Sequence, residues 1–131
     1  MPATARPWPF ASNLHLQRNK SFMPLGDQLL EWWSAGAITG TQLGNRYAFL
    51  ASALGTAGDN TPPADTIEGI LSTLPWDRSL IDARRLAQAI TKPVPRISHD
   101  FAYFPLDPAQ LDMIDGIVFL KRAVRLGSLV P

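Results

Sequence analysis

Three consecutive residues, Ser98-His99-Asp100, are the residue types of a hydrolytic triad. In that chemistry the histidine takes the nucleophile's proton on one ring nitrogen and is oriented by the acid on the other. Sequence neighbours project in different directions, so a local turn or helix cap is the better reading of this triplet. The chain has two histidines, His15 and His99, and no cysteine. Their spacing resembles no ligand motif, and a thiolate site is excluded outright. The carboxylate pairs Asp27/Glu31 and Asp112/Asp115 have helical spacing. Such pairs divide acid and base roles only where their surroundings push the two pKa values apart. On solvated helix faces they read as surface charge. The glycine-containing stretch "LGTAGDN" lacks the Lys-Ser/Thr ending of a phosphate-binding loop and runs into Pro-Pro rather than a helix. The residues therefore supply no catalytic set, no cofactor site and no metal site, and the expectation is a protein that is not an enzyme.

Binding chemistry is better represented. Trp8, Phe10, Ile81 and Phe119 fall where a small helical bundle leaves them uncovered, and Arg84, Arg85 and Arg122 lie on the same polar faces. Aromatic residues and arginine are the types that dominate interface hot spots. A second reading comes from "LLEWWSAGAITGTQLGNRYAFL", which has the outline of two helices around a short break. If the second were a DNA recognition helix, Gln42, Asn45 and Arg46 would meet base edges in the major groove. A basic N-terminal arm would then follow the phosphates. Against that reading, residues 27–115 hold six basic and all eleven acidic residues, whereas DNA-binding domains concentrate basic charge on one face.

These side chains need elements to position them. The leucines and tryptophans among residues 25–35 fall within about 160° of helical arc, which predicts a first helix there. Leu43, Tyr47, Leu50 and Leu54 recur at helical spacing and predict a second over residues 40–54. Asp65-Thr66-Ile67-Glu68 has capping-box spacing, and Ile67, Ile70, Leu71 and Leu74 follow as an apolar face ended by Pro75. A fourth helix is expected over 79–91, capped by Asp77 or Ser79. A fifth is expected over 107–126, entered through Asp107-Pro108. The proline-rich "KPVPRISHDFAYFPLDP" reads as an ordered strap across the bundle, because so long a connection is unusual in a compact domain.

The expected fold is therefore all-α: a single-domain bundle of about five helices over residues 23–131, with an extended arm over 1–22. At 131 residues, 46% hydrophobic and 18% charged, the chain is long enough and apolar enough for one continuous core. No signal peptide is expected, since the first residues lack an apolar core segment. The longest strongly apolar run, "GIVFL", falls far short of the roughly 20 residues of a membrane span. Nine arginines against three lysines read as the coding bias of a GC-rich bacterial or phage genome. The functional expectation is a cytoplasmic helical protein that binds another macromolecule. A protein partner leads, a second copy of the chain included; the alternative is DNA binding by a helix-turn-helix. No cofactor and no membrane partner is expected.

Overall fold

The computed structural model describes residues 11–97 and 103–124. It overturns the all-α expectation: the protein is mixed α/β, with five strands in two sheets and four short helices. In chain order the elements are α1 (Asn13–Leu16), β1 (Ser21–Leu25), β2 (Gln28–Trp32), α2 (Ala35–Leu43), β3 (Leu50–Ala57), α3 (Ile67–Leu71), β4 (Arg78–Asp82), α4 (Ala83–Ala89) and β5 (Gly116–Ala123). Short 3-10 turns follow α2 and precede β5.

Strands β1 and β2 form a hairpin joined by Gly26-Asp27, with Leu25 opposite Gln28 and Ser21 opposite Trp32. Gly26 has φ +60°, and a positive φ at the first of two loop residues is what a primed hairpin turn demands. This replaces the expected helix over 25–35. The leucine and tryptophan arc was real as composition, but the turn interrupts it at its first residue.

The second sheet has the order β3-β5-β4, with β3 parallel and β4 antiparallel to the central β5. Its inner face carries Ala51, Ala53 and Gly55 from β3 and Ile117 and Phe119 from β5, all buried. Helices α3 and α4, Leu106, Leu111 and Ile114 close over this face and complete the core. Gly55 is required by crowding: a Cβ there would stand 2.3 Å from the Lys121 carbonyl oxygen. The second expected helix gives way to β3 because burial along Leu50–Ala57 alternates. The leucines that suggested a helical stripe, Leu50 and Leu54, lie on the outer face, while alanines and glycine fill the core at period two.

The fifth expected helix starts at its cap, since the Asp107 side chain accepts from the Ala109 N–H at 2.9 Å. It lasts only through the 3-10 turn Pro108–Met113 and then becomes β5. The run Ile117-Val118-Phe119-Leu120 is apolar on both sheet faces, which hides the alternation of a strand. The fourth expected helix is α4, but it starts later. Asp82, not Asp77 or Ser79, caps it by accepting from the Arg84 and Arg85 N–H groups, and residues 78–82 are strand. Helix α3 is capped by Thr66, which accepts from Gly69 N–H at 3.0 Å. Glu68 does not close a capping box. Its buried carboxylate accepts from Tyr103 Oη at 3.0 Å and from Leu106 N–H at 2.9 Å, tying α3 to the residues before β5.

The outer edge of β3 is occupied. The Asn13 side chain donates to the Ser52 carbonyl at 2.8 Å and accepts from the Ser52 N–H at 2.9 Å, as a neighbouring strand would. Arg96, buried, donates to the Leu54 carbonyl at 2.7 Å. Residues 1–22, expected as one extended arm, hold α1 and the start of β1 in their described part. Among the described residues no helix is long and apolar enough to cross a membrane.

Candidate functional site

Among the described residues the hairpin is held at its base, and its tip is exposed. At the base, the buried Ser21 hydroxyl donates to the Leu14 carbonyl of α1. Ser34, just past β2, donates to the Gln17 carbonyl at 3.4 Å and caps α2 by accepting from Ala37 N–H at 3.1 Å. Helix α1 in turn sits on the first turn of α2, where a Cβ on Gly36 would meet the Leu16 carbonyl oxygen at 2.0 Å. Only glycine permits that approach.

A polar knot fastens this assembly to the β3-β5-β4 sheet. The Asp115 carboxylate accepts from Phe49 N–H at 2.8 Å, from Arg18 at 3.3 Å and from Arg84 at 2.9 Å. Arg18 also donates to the carbonyls of Gly44 and Tyr47 and lies 5.2 Å over the Tyr47 ring. The Tyr47 hydroxyl donates to the Leu16 carbonyl. Burial raises the Tyr47 pKa above its ordinary value; Arg18 opposes the shift and Asp115 adds to it.

Away from this base the hairpin loses cover. One face carries Trp32, Met23, Leu30 and Leu25 in succession towards the tip, and the other carries Phe22, Pro24 and Leu29 beside Glu31. Exposure grows along the first face, with Trp32 half-buried, Leu30 46% exposed and Leu25 61% exposed. Trp33, at the end of β2, is exposed and lies under the Lys20 ammonium at 5.3 Å. A two-stranded hairpin is at best marginal in water alone, and both faces of this one are apolar.

The residues singled out from sequence are not gathered into one site. Phe119, expected on a solvated face, is fully buried in the core, because residue 119 belongs to a strand and not to a helix. Ile81 is half-buried on the inner face of β4. Arg84 and Arg85 are exposed at the start of α4, Arg84 paired with Asp115 and Arg85 3.7 Å from Asp82. Arg122 is exposed on β5, opposite Thr56 in register. Trp8, Phe10 and the Ser98-His99-Asp100 triplet lie outside the described residues.

Gln42, Asn45 and Arg46 are exposed, but the helix-turn-helix that gave them meaning is not formed. They sit at the end of α2 and in the 3-10 turn after it, and what precedes α2 is a strand. The carboxylate pairs also separate. Asp27 is in the hairpin turn and Glu31 on β2, while Asp115 is committed to the knot and Asp112 is exposed. His15 meets Ser12, with Ser12 Oγ 2.6 Å from its Nδ1. Among the described residues no group of three or more metal-binding side chains converges.

The hairpin had a signal in the sequence: Gly26-Asp27 between two runs of five residues, with Pro24 in the first. Proline tolerates an edge strand and breaks a helix interior, so this pattern favours the hairpin. No protein-family model matches the chain, and neither a curated protein nor a solved structure is significantly similar to it.

Proposed function

We propose that this protein acts by binding another protein, with the β1-β2 hairpin as the element it inserts into that partner. The observation that carries this reading is an apolar hairpin clamped at its base and uncovered at its tip on both faces. Leu25 is 61% and Leu30 46% exposed, so burying what remains in a partner contributes roughly 1–1.5 kcal/mol each. The turn residues Gly26 and Asp27 leave the tip narrow enough to enter a cleft. The reading makes the protein a cytoplasmic, non-enzymatic binding module without a cofactor.

The test is affinity capture from a native cytosolic extract, with and without nuclease, comparing the parent with a Leu25→Asp/Leu30→Asp variant. The parent retains a defined protein after nuclease treatment, and the variant loses it while its circular dichroism stays unchanged. Retention of the same protein by the variant refutes the hairpin. Retention of nucleic acid alone refutes a protein partner.

A further inference from the structure

The outer edge of β4 is a second surface, distinct from the hairpin. Strand β4 ends the three-stranded sheet, and its direction against β5 fixes where its main-chain groups point. Lys121 N–H donates to the Asp77 carbonyl at 2.8 Å. Hydrogen-bonded pairs in an antiparallel ladder recur at every second residue, so Ser79 and Ile81 also turn their main-chain groups towards β5. Arg78 and Leu80 therefore present N–H and C=O outward. Asp82 presents its N–H, while its carbonyl serves the first turn of α4 that it caps. Among the described residues no main-chain partner takes these outward groups.

The side chains of the same three residues lie on the outer face of the sheet. They read cation, hydrophobe, anion: Arg78, Leu80, Asp82. Leu80 is 74% exposed. No carboxylate is within salt-bridge distance of Arg78 among the described residues, and the second carboxylate oxygen of Asp82 has only the exposed Arg85 at 3.7 Å. Read in reverse, the row is its own complement.

We infer that two copies of this chain pair β4 to β4, antiparallel, about a twofold axis through Leu80. In this register each Leu80 N–H donates to the partner's Leu80 carbonyl, and each Asp82 N–H donates to the partner's Arg78 carbonyl. Each Arg78 guanidinium lies beside the partner's Asp82 on the same face, within the reach of a directly opposed cross-strand pair. Other registers do worse. Moving the axis to Ser79 or Ile81 sets a charged residue against Leu80. Any register of the opposite parity sets outward groups against inward ones. The result is a six-stranded sheet whose interface is isologous, the commonest form of oligomer contact.

The inner side of the edge suits the same arrangement. A groove of about 750 Å³ runs along the edge, lined by Arg78, Leu80 and Asp82 as well as by Leu74, Ile81 and Leu86. The partner's Ile81, which alternates to the inner side, is directed at its mouth. Trp76 is 62% exposed two residues before β4, and the register carries it to the start of the partner's α4.

The absence of native cysteine makes the register directly testable. Directly opposed residues of a hydrogen-bonded antiparallel pair stand about 5.5 Å apart at Cα, within the range a disulfide spans. A Leu80→Cys variant under mild oxidation therefore gives a reducible covalent dimer. A Leu50→Cys variant, on the same outer face but on β3, forms it much more slowly at the same concentration. Light scattering of the parent gives twice the 14.4 kDa chain mass. Arg78→Glu, which replaces two ion pairs by like charges, raises the dissociation constant about tenfold or more. A parent that stays monomeric at millimolar concentration overturns the proposal. So does a dimer that cross-links equally well through either cysteine, or one that Arg78→Glu leaves unchanged. The hairpin variant Leu25→Asp/Leu30→Asp keeps the dimer, so failure here and failure of the hairpin reading are separate results.

Discussion

Replacing Asp115 by alanine removes one carboxylate and unsettles three donors at once. The Phe49 N–H, on a buried residue, loses its acceptor at 2.8 Å, and a buried unpaired N–H costs about 1–3 kcal/mol. The Arg18 side chain, 17% exposed, loses its counter-charge but keeps the Gly44 and Tyr47 carbonyls, for about 1–2 kcal/mol. Arg84 is 70% exposed, so water takes over its hydrogen bond at a cost of about 0–1 kcal/mol. The expected loss for Asp115→Ala is therefore about 2–6 kcal/mol, a large part of the stability of a domain this size. Asp115→Asn keeps an oxygen for Phe49 and forfeits the charge, for about 1–2 kcal/mol. Urea unfolding followed by circular dichroism measures both, with an unchanged m-value as the condition for comparing them. A double-mutant cycle with Arg84→Ala shows weak coupling to Asp115, whereas the cycle with Arg18→Ala shows strong coupling. A loss below about 1 kcal/mol for Asp115→Ala, or stronger coupling to Arg84 than to Arg18, refutes the knot as the joint between hairpin and sheet.

Two further outcomes are expected. The chain has two tyrosines, and burial raises the pKa of both Tyr47 and Tyr103 above 10.0, with Glu68 adding to the shift of Tyr103. A folded-state pKa above the unfolded value means that this stability is fully present below pH 10 and is lost as pH rises through the folded pKa. The native protein at pH 10 therefore shows less tyrosinate absorbance than the unfolded chain, and its urea midpoint falls above that pH; equal ionisation of the folded and unfolded protein at pH 10 refutes the burial. Gly36→Ala forces a Cβ against the Leu16 carbonyl at 2.0 Å, so α1 must shift off α2. Hydrogen exchange then accelerates in β1 and β2 more than in β5, and uniform acceleration counts against the clamp.

The Asp107 cap and the existence of α3 were legible in the sequence where the strands were not, for a physical reason. Asp107-Pro108 is a signal carried by adjacent residues and opens the 3-10 turn Pro108–Met113. A helix also forms where Asp65–Leu74 predicted one, but Thr66 rather than Asp65 caps it and it ends at Leu71, short of Pro75. Strand signals depend on which face is covered, and in this protein the covered face of β3 is made of Ala51, Ala53 and Gly55. The bulky residues of β3 face outward, so hydrophobic size and burial point in opposite directions. In β5 both faces are apolar, and no alternation survives to be read. Phe119 offered the sharper clue. On a helix it stood alone on the polar side, and that conflict disappears once residue 119 is a strand residue facing the core. Asp115 read as surface charge because its donors, Arg18, Phe49 and Arg84, are remote in sequence. The hairpin tip was legible only through Gly26-Asp27 and Pro24, which a composition arc conceals.

The Asn13 amide that pairs with Ser52 has a consequence for how far assembly can go. A sheet with two unguarded margins is the repeat unit of a fibre, because every addition exposes a fresh template. Here Asn13 and Arg96 take main-chain groups of the β3 margin, whereas among the described residues no main-chain partner takes the outward groups of the β4 margin. Each molecule then offers that sheet one valence, not two. On the β4 pairing inferred above, growth along the ladder ends when two such margins meet, because Asn13 and Arg96 occupy the other margin.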